Sequence, residues 1–191
     1  MRIAYRIDTE TGLIEPARQC TSPNQDERPK GAAPELLVLH GISLPPGEFG
    51  GPEIEQLFTK SLNWDSHPYF DEIRGIEVSS HLLIRRDGEL VQFVPFNRRA
   101  WHAGESCFKT RRCCNDFSIG IELEGEDDTA YADPQYDVLI AVTTALLAAY
   151  PALSAREIAA HSDISPGRKT DPGPAFDWLR LYDGVSQCRT T

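Results

Sequence analysis

Residues 118–124 read Ser118-Ile119-Gly120-Ile121-Glu122-Leu123-Glu124. Apolar and polar positions alternate through this stretch, the pattern of a β-strand whose successive side chains point to opposite faces. Ile119, Ile121 and Leu123 are expected on one face, with Glu122 and Glu124 on the other. Gly120 falls on the glutamate face, and its missing side chain predicts open space beside Glu122. A second strand is read in Leu36-Leu37-Val38-Leu39-His40, short and apolar enough to be buried. Residues 78–84 and 90–94 read as a hairpin around Asp87-Gly88. Ile158-Ala159-Ala160-His161 gives a final short strand.

The clearest helix is 134–150, PQYDVLIAVTTALLAAY. Asp133 is placed to cap it, Pro134 occupies its first position and Pro151 stops it. It is apolar almost all round, so it should be well buried. A shorter helix starts near Pro52 and carries Ile54, Leu57 and Phe58 on one face. A last helix is read from Phe176 to Tyr182. Strands interleaved with helices predict an α/β domain with a mixed sheet. Residues 21–35 are polar and rich in Pro and Gly, an extended lead-in rather than a second domain. The 191 residues are therefore read as one domain, with 1–35 packed on it as the lead-in.

The formal net charge is −10. That argues against a nucleic-acid binder, which needs a basic face, and against docking on an anionic membrane. The N-terminal MRIAYRIDTE lacks the apolar core of a secretory signal, and no stretch suits a bilayer span, so the cytoplasm is the expected compartment. Cys20, Cys107, Cys113, Cys114 and Cys188 show no C-x-x-C spacing. Free thiols are expected, and a thiolate zinc site is not.

The five histidines are His40, His67, His81, His102 and His161. His40 closes a buried strand and opens a Gly/Pro loop. It suits a metal ligand or a base, although position alone favours a hydrogen-bonded imidazole at the core edge. The segment HSDISPGRKTD, 161–171, is expected to be a loop that returns Asp171 towards His161, with Asp163 as a competing carboxylate. A catalytic zinc takes about three protein ligands and leaves one position open. Two neutral imidazoles and one carboxylate would leave such a centre positive, a charge suited to activating water and polarising a carbonyl. Glu122 or Glu124 could accept a proton from water, or simply line a polar sheet face. Lys169, two positions from Asp171, could stabilise an oxyanion or be an ordinary surface lysine.

Five segments taken together carry a resemblance: LVLHGISLPPGEFGG, VSSHLLIRRDGELVQFVPF, RAWHAG, CNDFSIGIELEG and HSDISPGRKTDPGPAFDW. In this order they resemble the AmpD-type 1,6-anhydro-N-acetylmuramyl-L-alanine amidases. These belong to the zinc amidase group that also holds phage amidase lysozymes and peptidoglycan recognition proteins. The resemblance implies a central mixed β-sheet flanked by helices. It implies one zinc ion per chain on His40, His161 and Asp171, with Glu122 as the catalytic carboxylate and Lys169 beside the scissile carbonyl. Trp101 and Arg168 are implied substrate contacts, and His102 is implied near the cleft rather than on the metal. The implied reaction is hydrolysis of the amide between (1,6-anhydro-)N-acetylmuramic acid and L-alanine of a small muropeptide. Its implied setting is cytoplasmic peptidoglycan recycling, which controls β-lactamase-inducing muropeptides. No nucleic acid, membrane or obligate protein partner is implied. Two positions depart from the pattern: Gly41 stands where these amidases commonly carry Asn, and Ser162 where they often carry Cys. Gly41 removes a side chain that could bind substrate.

Overall fold

A computed structural model describes residues 4–188. Six strands form its main sheet: β1 Arg18–Gln19, β2 Leu36–Ile42, β3 Leu82–Ile84, β4 Leu90–Gln92, β5 Ser118–Glu124 and β6 Ile158–Ala160. Their order is β6-β2-β5-β3-β4-β1. The first four run parallel; β4 is antiparallel to β3, and β1 parallels β4. The helices are α1 Glu53–Phe58, α2 Asp133–Ala149, α3 His161–Ile164 and α4 Trp178–Cys188. The mixed, helix-flanked sheet expected from the sequence is the one found.

Alternation along the strands divides the core. Ile119, Ile121 and Leu123 of β5 join Leu37 and Leu39 of β2 beneath Leu139, Val142 and Leu146 of α2 and Leu181 and Val185 of α4. Burying each such side chain stabilises the fold by roughly 1.5–3 kcal/mol. On the other face Leu83 and Val91 pack under Ile54, Leu57 and Phe58 of α1, the three residues its spacing singled out. Leu36 and Val38 share that side with Ala159. The second face of β5 is buried as well, so its glutamates are interior groups and not a solvated sheet surface.

Several boundaries differ from expectation. The hairpin ladder is confined to 82–84 and 90–92. Before it, the Ser79 N–H is drawn to the Trp101 carbonyl and that of His81 to the Gly120 carbonyl, away from the hairpin partner. The N-terminal cap of α2 is Ala132, whose N–H donates to the Gln135 side chain at 2.9 Å. Asp133 sits inside the first turn, where its charge still suits the helix dipole. The last helix starts at Trp178 rather than Phe176. β6 ends at Ala160, and the first four residues of the expected loop 161–171 form α3, because the Asp163 carboxylate accepts from Ala160 N–H at 2.9 Å and caps the turn.

The lead-in is more ordered than an extended tail. Residues 6–8 and 13–15 pair with each other, β1 joins the sheet edge, and 25–27 pair with 98–100. The Arg28 guanidinium donates to the carbonyls of Phe96, Asn115, Asp116 and Ser118, stapling the lead-in beneath β5. Cys20, Cys107, Cys113 and Cys114 are free thiols, as expected. Among the described residues no helix is long and apolar enough to cross a membrane.

Candidate active site

β2 and β5 are parallel neighbours in register, with His40 directly opposite Glu122. Both lie towards the carboxyl ends of their strands, where open α/β sheets place their sites. β6 ends one residue before His161, which therefore enters from the same edge. The loop after α3 then turns back: Ser162 N–H donates to the Asp171 carbonyl at 3.1 Å, and Gly41 N–H to Asp171 Oδ2 at 3.4 Å.

Three side chains converge as a result. His40 Nδ1 and His161 Nδ1 are 2.9 Å apart, and Asp171 Oδ2 lies 3.0 Å from His161 Nδ1 and 3.4 Å from His40 Nδ1. Among the described residues this is the one group of three His, Cys, Asp or Glu close enough to hold a metal ion. The chemistry of the set fits a cation. His161 Nε2 faces the Ala103 carbonyl at 3.4 Å, which can only accept, so the ring proton belongs there and Nδ1 offers a lone pair. His40 Nε2 faces His102 Nδ1 at 2.9 Å, leaving its Nδ1 towards the cluster. Tetrahedral zinc with bonds of about 2.0–2.1 Å has ligand atoms about 3.3 Å apart, close to the separations here.

Electrostatics separates the two carboxylates. Burial alone would raise the Asp171 carboxyl, but the His161 and His40 imidazoles packed against it hold it well below the usual range. Glu122 moves the other way. Burial pushes it well above the usual range, Asp171 adds repulsion, and Lys169 opposes both. Burial also pulls His40 down to about 4, so its imidazole is neutral and free to coordinate.

The glutamate pair is distinguished by neighbours. Glu124 is filled: it accepts from Gly50 N–H at 2.7 Å, Arg85 Nη1 at 3.0 Å and Arg86 N–H at 3.1 Å. Glu122 Oε1 instead stands 3.9 Å from His40 Nδ1 and lines the groove above the cluster. Asp163 is spent on capping α3, which separates it from Asp171.

The groove has a volume of about 880 Å³. Leu57, Phe58, Ile73 and Val78 form an apolar wall; Glu126, Asp127 and Asp128 form an acidic rim. Lys169 and Arg168 also line it. Arg168 is partly committed, since its Nη2 donates to the carbonyls of Ala103 at 2.6 Å and Glu105 at 2.9 Å and to Ser165 Oγ at 2.8 Å. Trp101 is half-buried beside the groove rather than among its lining residues. His81 is buried behind the sheet face, accepting from Gly120 N–H at 3.0 Å, and His67 caps a short turn near the surface.

One expectation is overturned. The space beside Gly120 is not open: a Cβ there would come within 2.5 Å of His102 Cγ, because the imidazole lies across the glycine. Sequence reasoning also missed Tyr131, whose buried hydroxyl donates to the Pro172 carbonyl at 3.0 Å. Its hydroxyl takes the room that a side chain at Gly41 would need, and its ring the room beside Gly125. Two glycines at neighbouring strand ends were the available signal.

In sequence and fold the chain is similar to known amidases. A family profile described as N-acetylmuramoyl-L-alanine amidase matches residues 30–174. The 1,6-anhydro-N-acetylmuramyl-L-alanine amidase AmpD of Enterobacter cloacae is 58% identical over 91% of this chain and 92% of its own length. The AmpD of Escherichia coli K12 is 58% identical over 93% of this chain and 97% of its own. A crystal structure of a selenomethionine AmpD derivative superposes with a TM-score of 0.90 at 56% identity, covering 94% of this chain and 98% of that one. AmpDh3 from Pseudomonas aeruginosa, in complex with an anhydromuramic pentapeptide, is 29% identical with a TM-score of 0.60, covering 82% of this chain and 61% of that one.

Proposed function

The chain belongs to the N-acetylmuramoyl-L-alanine amidase family, and on that premise we propose that it uses one zinc ion to hydrolyse the amide between (1,6-anhydro-)N-acetylmuramic acid and the L-alanine of muropeptides. The proposal places this reaction in cytoplasmic peptidoglycan recycling, and so in control of the muropeptides that induce β-lactamase. One observation carries it: His40 Nδ1, His161 Nδ1 and Asp171 Oδ2 converge within 3.4 Å of one another beside a buried Glu122 on the groove.

His40, His161 and Asp171 would hold the zinc. Bound there, it would polarise the scissile carbonyl and acidify the attacking water. Glu122 takes the water proton and passes it to the leaving amine. Its raised proton affinity suits that shuttle, because a carboxylate far below neutrality would be too weak a base. Lys169 supplies positive charge to the oxyanion as the tetrahedral centre forms. Arg168 keeps a guanidinium edge beyond the Nη2 that fixes its loop, and with Trp101 it is assigned to substrate contact. An apolar wall with Lys169 and Arg168 in the same groove suits a substrate that joins a sugar to an anionic peptide.

The test is digestion of an anhydromuropeptide with products resolved by mass. Release of a peptide beginning with L-Ala, abolished by a chelator and restored by zinc, is the expected outcome. No cleavage by protein that carries zinc would refute the assigned substrate.

A further inference from the structure

Ser118, Gly120 and Glu122 occupy alternate positions on one face of β5, and the His102 imidazole lies across the middle one. The ring is wedged between two anchors. Its Nδ1 is 2.9 Å from His40 Nε2, and its Nε2 is 3.0 Å from Ser118 Oγ. His102 is 8% exposed, and its backbone N–H is held by Asn115 Oδ1 at 3.1 Å. A Cβ at position 120 would meet three ring atoms between 2.5 and 2.8 Å away, so the ring reaches this place only because residue 120 is glycine.

We propose that His102 is a positioning residue for the metal centre: it accepts the Nε2 proton of His40, which locks His40 in the tautomer whose Nδ1 lone pair faces His161 and Asp171. A neutral imidazole has one donor and one acceptor nitrogen. If His40 coordinates through Nδ1, its proton must lie on Nε2. His102 Nδ1 must then be an acceptor, its own proton must lie on Nε2, and Ser118 Oγ receives it. One set of proton positions thus satisfies every nitrogen in the chain from Ser118 to the cluster. A second ring nitrogen held this way orients a ligating histidine and raises its donor strength; removing such a partner typically costs 10–100-fold in metal affinity. The ligand His161 uses a backbone carbonyl, that of Ala103, for the same purpose. His102 acts through His40 and touches no reacting atom.

The inference rests on the zinc assignment above, so the experiment measures zinc affinity directly, by competition with a chromophoric chelator. Three folded proteins are compared: wild type, His102→Phe, which keeps a ring but removes the acceptor, and His102→Asn, whose Oδ1 can replace Nδ1. We expect His102→Phe to bind zinc roughly 10–100-fold more weakly, with an altered visible spectrum after cobalt substitution, and His102→Asn to recover most of the affinity. Should His102→Phe fail to fold, Ser118→Ala carries the test, with an expected loss of several-fold in affinity. Wild-type affinity in the folded variants overturns the positioning role and leaves the zinc assignment standing. Absence of zinc binding by the wild type overturns the assignment itself.

Discussion

Gly41→Ala is a one-carbon change whose effect can be worked from the structure. The new Cβ would fall well inside contact distance of the Tyr131 hydroxyl, while the next atoms, Pro172 Cα and Tyr131 Cζ, would be at 3.5 and 3.6 Å, ordinary contacts. The clash is therefore with one oxygen. Tyr131 must move, and its 3.0 Å hydrogen bond to the Pro172 carbonyl is lost with the move. Overpacking costs about 1–3 kcal/mol and the hydrogen bond about 1 kcal/mol, against a gain of about 0.5–1 kcal/mol for replacing glycine in the unfolded chain. The net expectation is a loss of roughly 1–3.5 kcal/mol, or about 2–14 °C in Tm for a chain of this size. Tyr131→Phe alone should cost about 1 kcal/mol, for the hydrogen bond only. In the Tyr131→Phe background Gly41→Ala should be nearly neutral, since the obstructing oxygen has gone. Urea unfolding of the four proteins gives the coupling energy, expected near 2 kcal/mol and favouring the double variant. Equal costs of Gly41→Ala in both backgrounds would refute the assignment of the clash.

Three further outcomes follow from the same contacts. Glu122→Gln should lower kcat by about 10²–10⁴-fold while leaving the urea midpoint unchanged or higher, since it removes a buried ionisable group; an intact kcat would remove Glu122 from the proton transfer. Asp163→Ala should cost about 1 kcal/mol of stability through the lost α3 cap and leave zinc binding intact; zinc loss in the folded variant would reopen the choice between Asp163 and Asp171. Glu55 is held down to about 2, first by its hydrogen bonds to Arg18, with Arg85 adding to the effect. A depressed carboxyl stabilises the fold above the unfolded value near 4.5 and ceases to do so as pH falls towards 2. Solvent screens these partly exposed pairs, so stability should drop by only about 1 kcal/mol across that window, and Glu55→Gln should flatten the slope; an unchanged slope would contradict the ion pairs.

Much of this molecule is legible in local pattern. The alternation of 118–124 fixed which side chains meet α2, and the apolar run at 36–40 delivered His40 to a strand end. What local pattern could not do was choose between residues of equal parity. Glu122 and Glu124 share a face, and only Gly50, Arg85 and Arg86, from distant segments, fill one and leave the other to the groove. Asp163 and Asp171 were separable only once four residues of an expected loop proved helical. The three ligands implied by the resemblance, His40, His161 and Asp171, do converge in the fold. It left Tyr131 and Ser118 unmentioned and gave His102 only a place near the cleft. The His102 contact with His40 spans 62 residues of sequence, and no local pattern reports it.

The central claim is that His40, His161 and Asp171 hold zinc while Glu122 does chemistry without holding it. Zinc content per chain, measured by elemental analysis on purified wild type, Asp171→Ala and Glu122→Ala, tests this most directly. The account predicts about one zinc in the wild type, nearly as much in inactive Glu122→Ala, and very little in Asp171→Ala. Equal zinc loss in both variants would contradict the division of roles, and full zinc in Asp171→Ala would remove Asp171 from the ligand set.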